Sequence, residues 1–335
     1  MIKQALIGLT AAALLVGCGG DSKDNTAQKS AQAPQTAKSE GVKTLGLVQL
    51  VEHPALDAAS RGIQDAVKAR GLNVTFDLQN AQADQSNLAN IAQRFVSQEY
   101  PLIFAIATPA AQTLANATKI TPIVATAVTD FATAKLVKSS EKPGTNVTGS
   151  SDLNPIGAQL DLLMQFVPNA KTIGTIYNSS EINSQFQIDL LKKEMTRYNV
   201  KLVEGTVSSV NDVQQVAQSL VGKVDAIYVP TDNIIASAMP VLAKITTPAK
   251  VPVITGEEGM ARGGGLATVG LDYYELGKIA GNMGADILEG KSKPEDMPIR
   301  FQKQFKVKIN EDTLKELGLT VPESIKDKAE MMKLN

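Results

Sequence analysis

From Thr44 to the end of the chain, unbroken apolar runs alternate with amphipathic stretches, and no other feature limits the fold as tightly. A continuous apolar run suits a strand buried on both faces of a parallel sheet, and amphipathic segments between such runs are the crossover helices that a parallel sheet requires. The expected strands are Thr44 to Val51, Asn73 to Leu78, Leu102 to Ala107, Pro122 to Thr126, Asn146 to Ser150, Thr172 to Tyr177, Lys201 to Val207, Ala226 to Val229, Val251 to Thr255 and Leu266 to Leu271. Helices are expected at Pro54 to Arg70, Asp84 to Gln98, Ile156 to Phe166, Ile182 to Tyr198, Asp212 to Val221, Asn233 to Ile245, Tyr273 to Glu289 and near Asp312 to Leu317. Doubly wound α/β layers are the fold class this alternation predicts.

The pattern runs twice. Ile91-Ala92-Gln93-Arg94-Phe95-Val96 and the strand at Leu102 reappear as Val216-Ala217-Gln218-Ser219-Leu220-Val221 and the strand at Ala226, and Pro122-Ile123-Val124 matches Pro252-Val253-Ile254. Two parallel-sheet lobes follow. Passages between them are expected near Asn146 to Asp152, at the glycine-rich Gly256 to Gly265 and at Met297 to Phe305. That division places 44–150 and about 258–297 in lobe 1, and 151–257 and about 298–335 in lobe 2. Several chain crossings make a hinge, and ligands bind beyond the carboxyl ends of parallel strands, so the inter-lobe cleft is the expected site.

The amino terminus has a different character. Lys3, the apolar run Ala5 to Val16 and the small residues that follow have the anatomy of a secretory signal, expected to span 1–17, and the run is short for a membrane span. Leu15-Val16-Gly17-Cys18 resembles a lipobox, the bacterial lipoprotein signal, which makes Cys18 the expected lipidation site. It is the only cysteine, so an intrachain disulfide is excluded. The stretch 18–43, with Val42 as its only large apolar residue, cannot bury enough surface to fold and is expected to be a flexible tether. The body is thus expected outside the cytoplasm, lipid-anchored to a bacterial membrane.

Composition removes other functions. With 33 basic against 34 acidic residues there is no electrostatic footprint for nucleic acid. A single histidine, His53, excludes a histidine-based metal cluster and argues against a serine triad, and Gly263-Gly264-Gly265 lacks the spacing and lysine of a phosphate loop. No catalytic residue, metal or cofactor is expected, and binding is favoured over catalysis.

Several short motifs together carry a family resemblance: Glu52-His53-Pro54-Ala55-Leu56-Asp57, Thr108-Pro109-Ala110-Ala111-Gln112, Thr126-Ala127-Val128-Thr129-Asp130, Tyr177-Asn178-Ser179-Ser180-Glu181, Val229-Pro230-Thr231-Asp232-Asn233 and Gly256-Glu257-Glu258-Gly259-Met260. With the lipobox and tether, residues 44 to about 310 resemble the ABC transporter substrate-binding lipoproteins of the tryptophan/tyrosine-binding type, whose fold is similar to the type I periplasmic binding proteins. The resemblance implies capture of an aromatic amino acid by hinge closure and delivery to an ABC permease. A branched-chain ligand, or a receptor that presents its ligand to a sensor kinase or chemoreceptor, remains open.

A free amino acid offers a carboxylate, an ammonium and a side chain. For the carboxylate, Thr108 ends a buried strand and can N-cap the helix that Pro109 opens, so its hydroxyl and the N–H groups of Ala110 and Ala111 form an anion seat. Thr129 and Asp130, at the end of the next strand, are expected beside it. Asp232 and Glu257, after strands of the second lobe, are the candidates for the ammonium, with helix capping and a solvated turn as their structural alternatives. Glu52 and His53 are expected as cleft contacts, and Asn178, Ser179 and Asn183 as hydrogen-bonding groups or helix caps. Phe131, Tyr177 and Phe186 are candidates to face an apolar side chain.

Overall fold

The computed structural model describes residues 41–334. The expected signal segment, Cys18 and all but the last residues of the tether lie outside the described residues. Lys43, assigned to the tether by sequence, already belongs to the first strand.

The first sheet contains β1 (Lys43–Gln49), β2 (Val74–Asn80), β3 (Ile103–Ile106), β4 (Ile123–Val128) and β5 (Val147–Ser151). Their connecting helices are α1 (Pro54–Ala69), α2 (Gln85–Ser97) and α3 (Thr108–Ala117). The second sheet contains β6 (Thr172–Asn178), β7 (Lys201–Val207), β8 (Ala226–Val229), β9 (Val253–Thr255) and β10 (Ala267–Gly270). These alternate with α4 (Ile156–Phe166), α5 (Ile182–Met195), α6 (Val213–Val221), α7 (Asn233–Ser237), α8 (Met239–Thr246) and α9 (Glu258–Arg262). The chain finishes with α10 (Tyr273–Leu288), β11 (Arg300–Phe301), β12 (Lys306–Asn310), α11 (Glu311–Leu317) and β13 (Ala329–Met332).

Strand order is β2-β1-β3-β4-β5-β11 in the first sheet and β7-β6-β8-β9-β10-β12-β13 in the second. The two sheets share one winding, so the repeat seen in the sequence is a repeat of topology. All pairings are parallel except β10 with β12. In both sheets the order reverses at the first strand, which opens a crevice at the carboxyl ends of β1 and β3 and of β6 and β8.

The inner strands β1, β3, β4, β5, β6, β8, β9 and β10 are buried along most of their length, covered on both faces, whereas the edge strands β2, β7, β11 and β13 are largely half-buried or exposed. Leu45, Leu47, Phe104, Ile106 and Val124 anchor the first core. The second sheet has a core on each face, one built with Leu160, Leu163 and Leu191, the other with Val213, Leu220 and Leu242.

Two expectations need correction. The chain does not leave the second lobe at Gly256 to Gly265: α9 and a tight reversal fill that stretch, and β10 pairs with β9 in the second sheet. The glycines serve the reversal, since a Cβ on Gly264 would lie 2.4 Å from the Ala243 Cβ and its φ is +116°. The passage comes after β10, at Leu271 and Asp272, so residues 258–270 belong to lobe 2 and α10 to lobe 1. The other passages fall between β5 and α4 and between β11 and β12. The helix expected over Asn233 to Ile245 is broken at Ala238, where Pro240, lacking an N–H, opens α8 instead of continuing α7.

One packing contact positions the cleft. Helix α10 returns to lobe 1 and lies on α1 so closely that a Cβ on Gly62 would sit 2.1 Å from the Tyr274 carbonyl oxygen, and one on Gly277 2.1 Å from that of Ala59. Backbone meets backbone, and the amino-terminal residue Tyr273 is held at the crossing. No helix among the described residues is long and apolar enough to cross a membrane.

Candidate functional site

The carboxyl ends of the two sheets face each other across a nearly closed cleft, with a cavity of about 10 Å³. His53, Ala127, Thr129 and Tyr273 line it from lobe 1, Asn183, Thr231, Asp232, Asn233 and Glu257 from lobe 2, and Asp152 from the crossing between them.

In lobe 1, the corner between β1 and α1 sends the His53 ring into the opposite lobe, where Nε2 lies 3.4 Å from Asn233 Oδ1. Burial pulls the imidazole down to about 4, so it is neutral at pH 7. Glu52 is exposed and lines a neighbouring groove of about 580 Å³ with Pro240, Lys244 and Glu316.

The anion seat differs from expectation. Helix α3 begins one residue earlier than the proline suggests: Ala107 is the cap, at φ 87°, and Thr108 is inside the first turn without a capping bond. The Ala111 N–H donates to the Ala107 carbonyl at 3.1 Å and is therefore spent. Thr108, Ala110 and Ala111 are buried but do not line the cavity. The end of β4 reaches it instead: a register shift between Thr126 and Val128, with Ala127 at φ 55°, accompanies the turn of this strand end to the cleft. Asp130 is outside the cavity and holds the following turn, its carboxylate accepting from the Thr133 N–H at 2.6 Å.

At the crossings, Asp152 accepts from the Thr129 hydroxyl at 3.1 Å and from the Tyr273 hydroxyl at 2.7 Å. Burial raises its pKa against the pull of these two bonds.

Lobe 2 supplies three more buried acids. Asp232 caps α7, accepting from the Ile235 N–H at 2.9 Å, and takes the Ser184 hydroxyl and the Asn178 N–H, both at 2.6 Å. Glu181 accepts from Asn183 and Asn233, and burial together with the nearby Asp232 raises it to about 7. Glu257 caps α9 through the N–H groups of Gly259 and Met260, and burial again raises it to about 7. The capping alternative weighed for Asp232 is therefore real, and Glu257, whose alternative from sequence is a solvated turn acid, is a buried cap instead; both also line the cleft. Asn178 is buried and ties the Ser180 N–H, whereas Ser179 is exposed and outside the cavity.

Sequence reasoning missed Asp152, Glu181, Asn233 and Tyr273. A signal existed for Asp152, the one acid of the Ser151 to Pro155 crossing, and for Tyr273, which opens the helix after another crossing. Of the aromatic candidates, Phe131 is in the first core, Tyr177 bonds Glu204 at 3.0 Å and Phe186 is half-buried; none lines the cavity.

Residues 44–333 match the family model described as ABC transporter substrate binding protein. The chain belongs to this family. A "Tyrosine-binding protein" of Clostridioides difficile is 43% identical over 323 residues, 95% of this chain and 92% of the relative. Among solved structures, an ABC domain from Streptococcus pneumonia in complex with L-Trp is 39% identical and superposes with a TM-score of 0.84, over 87% of this chain and 99% of that one. The ligand-free, open structure of a substrate binding protein with adhesive properties from Clostridium difficile is 46% identical, covers 88% of this chain and 100% of its own, and reaches only 0.67. The nearer sequence gives the poorer superposition. The poorer match is to the open, ligand-free structure, in keeping with the small cavity between the lobes here.

Proposed function

We propose that this substrate-binding protein captures a free aromatic L-amino acid in the inter-lobe cleft and passes it intact, without catalysis, to an ABC permease. The observation that carries the reading is the charge imbalance of the closed cleft. Three buried carboxylates line it, Asp152, Asp232 and Glu257, a fourth, Glu181, is buried behind Asn183 and Asn233, and no Lys or Arg is buried among the described residues. Buried charges need partners, and a ligand ammonium supplies one. Asp152 and Glu257 are the assigned ammonium partners, because Glu257 senses the charge of Asp152 and the only side chains that donate to Asp152 are two neutral hydroxyls. Asp232, saturated by its own lobe, holds the wall in shape. The ligand carboxylate is assigned to lobe 1 at Ala127 and Thr129, with the positive end of α3 at Thr108 and Ala110 on the neighbouring strand. The aromatic preference rests on the tyrosine-binding relative and the L-Trp complex.

The lipobox makes Cys18 the proposed anchor to a bacterial membrane, with the body outside the cytoplasm. Cys18→Ala should move the protein from the membrane fraction to the soluble one.

Thermal unfolding of the 41–335 body against single L-amino acids, with D-isomers and sugars as controls, tests the ligand. Saturation at 100 times the dissociation constant stabilises by about 2.7 kcal/mol. A shift with tyrosine, tryptophan or phenylalanine, and recovery of the same molecule by mass spectrometry, is the expected result. No shift with any amino acid, or recovery of an altered one, overturns the reading.

A further inference from the structure

Two buried acceptor atoms on residues that line the cleft have no partner, His53 Nδ1 and Asn183 Oδ1. They belong to one hydrogen-bond network, and the network fixes what each can do. Asn233 gives its amide Nδ2 to Glu181, so the atom it turns to His53 is the carbonyl Oδ1. An amide oxygen only accepts, so His53 Nε2 carries the ring proton. The ring is neutral and has a single N–H, which leaves Nδ1 as a bare lone pair. The same logic applies to Asn183. Its Nδ2 donates to Glu181 at 3.0 Å and to the Thr231 carbonyl at 3.3 Å, so the unpartnered Oδ1 is again an acceptor.

These acceptors come from opposite lobes, His53 at the β1–α1 corner and Asn183 in α5. Buried acceptors without donors are rare, and each calls for an explanation. The ammonium does not supply it, because Asp152 and Glu257 already take that group. What remains on an amino acid to donate is its side chain.

We propose that His53 Nδ1 and Asn183 Oδ1 form a subsite that reads a hydrogen-bond donor on the ligand's side chain, the phenolic O–H of tyrosine or the indole N–H of tryptophan, and so rejects phenylalanine. This rests on the amino-acid reading above and narrows its substrate class. Pockets built around buried hydrogen-bonding groups discriminate strongly against analogues that lack the matching group, because the protein's own polar atoms are then left unpaired.

Calorimetric titration of the 41–335 protein with L-tyrosine, L-tryptophan and L-phenylalanine is the test. The intact protein should bind tyrosine or tryptophan at least about 100-fold more tightly than phenylalanine. His53→Leu should bring that ratio below about 10, and His53→Asn, whose side-chain oxygen can replace the Nδ1 lone pair, should restore part of it. Asn183→Leu provides the second variant, with circular dichroism and the melting curve to verify folding. Equal affinity for all three amino acids in the intact protein overturns the subsite and leaves the amino-acid reading standing. An equal loss for all three ligands in His53→Leu also overturns it, by making the residue a structural contact between lobes. Failure of the intact protein to bind any of them sinks the amino-acid reading itself and the subsite with it.

Discussion

The two lobes share one winding but present different chemistry at their strand ends. Lobe 2 presents side chains: Glu181, Asp232 and Glu257 are all buried acids, and two of them cap helices. At the ends of β3 and β4 lobe 1 presents small residues and rearranged backbone, at Ala107 and Ala127, both with positive φ, and the polar side chains it adds to the cleft, His53, Thr129 and Tyr273, carry no acid. A shared winding leaves the rims free to differ, and under the proposed reading each half addresses a different end of one ligand. Interior packing diverges too: α1 meets α10 through glycines, whereas α4 meets α5 through leucines and isoleucine.

If carboxylates act from lobe 2 and the crossing while the strand ends of lobe 1 act through backbone, substitutions should hurt binding unequally. Glu257→Gln and Asp152→Asn should each weaken amino-acid affinity by about 100-fold or more, near 3 kcal/mol, while Thr108→Val changes it less than about threefold. Titration calorimetry decides, and a larger loss in Thr108→Val would break the comparison. The packing contrast comes next in size. Gly62→Ala should destabilise the fold by about 2 kcal/mol, since its Cβ has nowhere to go without moving Tyr274; urea unfolding with an unchanged slope checks this.

Legibility followed the same divide. Apolar runs are forced by burial on both sheet faces, so a central strand such as β8 appears in the sequence with its true limits. Single side chains in the cleft were readable where a strand end marks them, as with Asp232 and Glu257. Asp152 and Tyr273 were not, because a crossing has no periodicity and only the closed lobes bring the two together. Thr108 misled because Thr-Pro is a fair cap signal; Ala107, at a φ that alanine rarely adopts, takes that place instead.

Charge in lobe 2 gives a pH signature. Glu181 and Glu257, raised to about 7 from an ordinary 4.5, keep their protons in the folded state after the unfolded chain has lost them. They therefore cost stability progressively as pH rises from about 4.5 to 7, and no more above that. An ammonium favours the ionised form, so ligand binding should release a fraction of a proton at pH 6.5 and none at pH 8.5. Calorimetry in two buffers of different ionisation enthalpy reads this, and proton uptake on binding would contradict the ammonium assignment. The smallest effect tests lobe 1: Ala107→Gly should stabilise the ligand-free protein by up to about 1 kcal/mol in urea unfolding, by relieving a backbone conformation costly to alanine.

The return of α10 to lobe 1 imposes an order on biosynthesis. The five strands β1 to β5 leave the ribosome first, yet the helix that seals one of their faces is made only after the whole β6 to β10 sheet. Until Tyr273 to Leu288 is made, the earlier half carries an open apolar face that only glycine-smooth helix packing will close. The later half waits longer still, because β12, α11 and β13 complete its sheet and core only after α10 is made, so in a series of stalled nascent chains protease resistance of the first sheet should appear once Leu288 has emerged, and that of the second only afterwards.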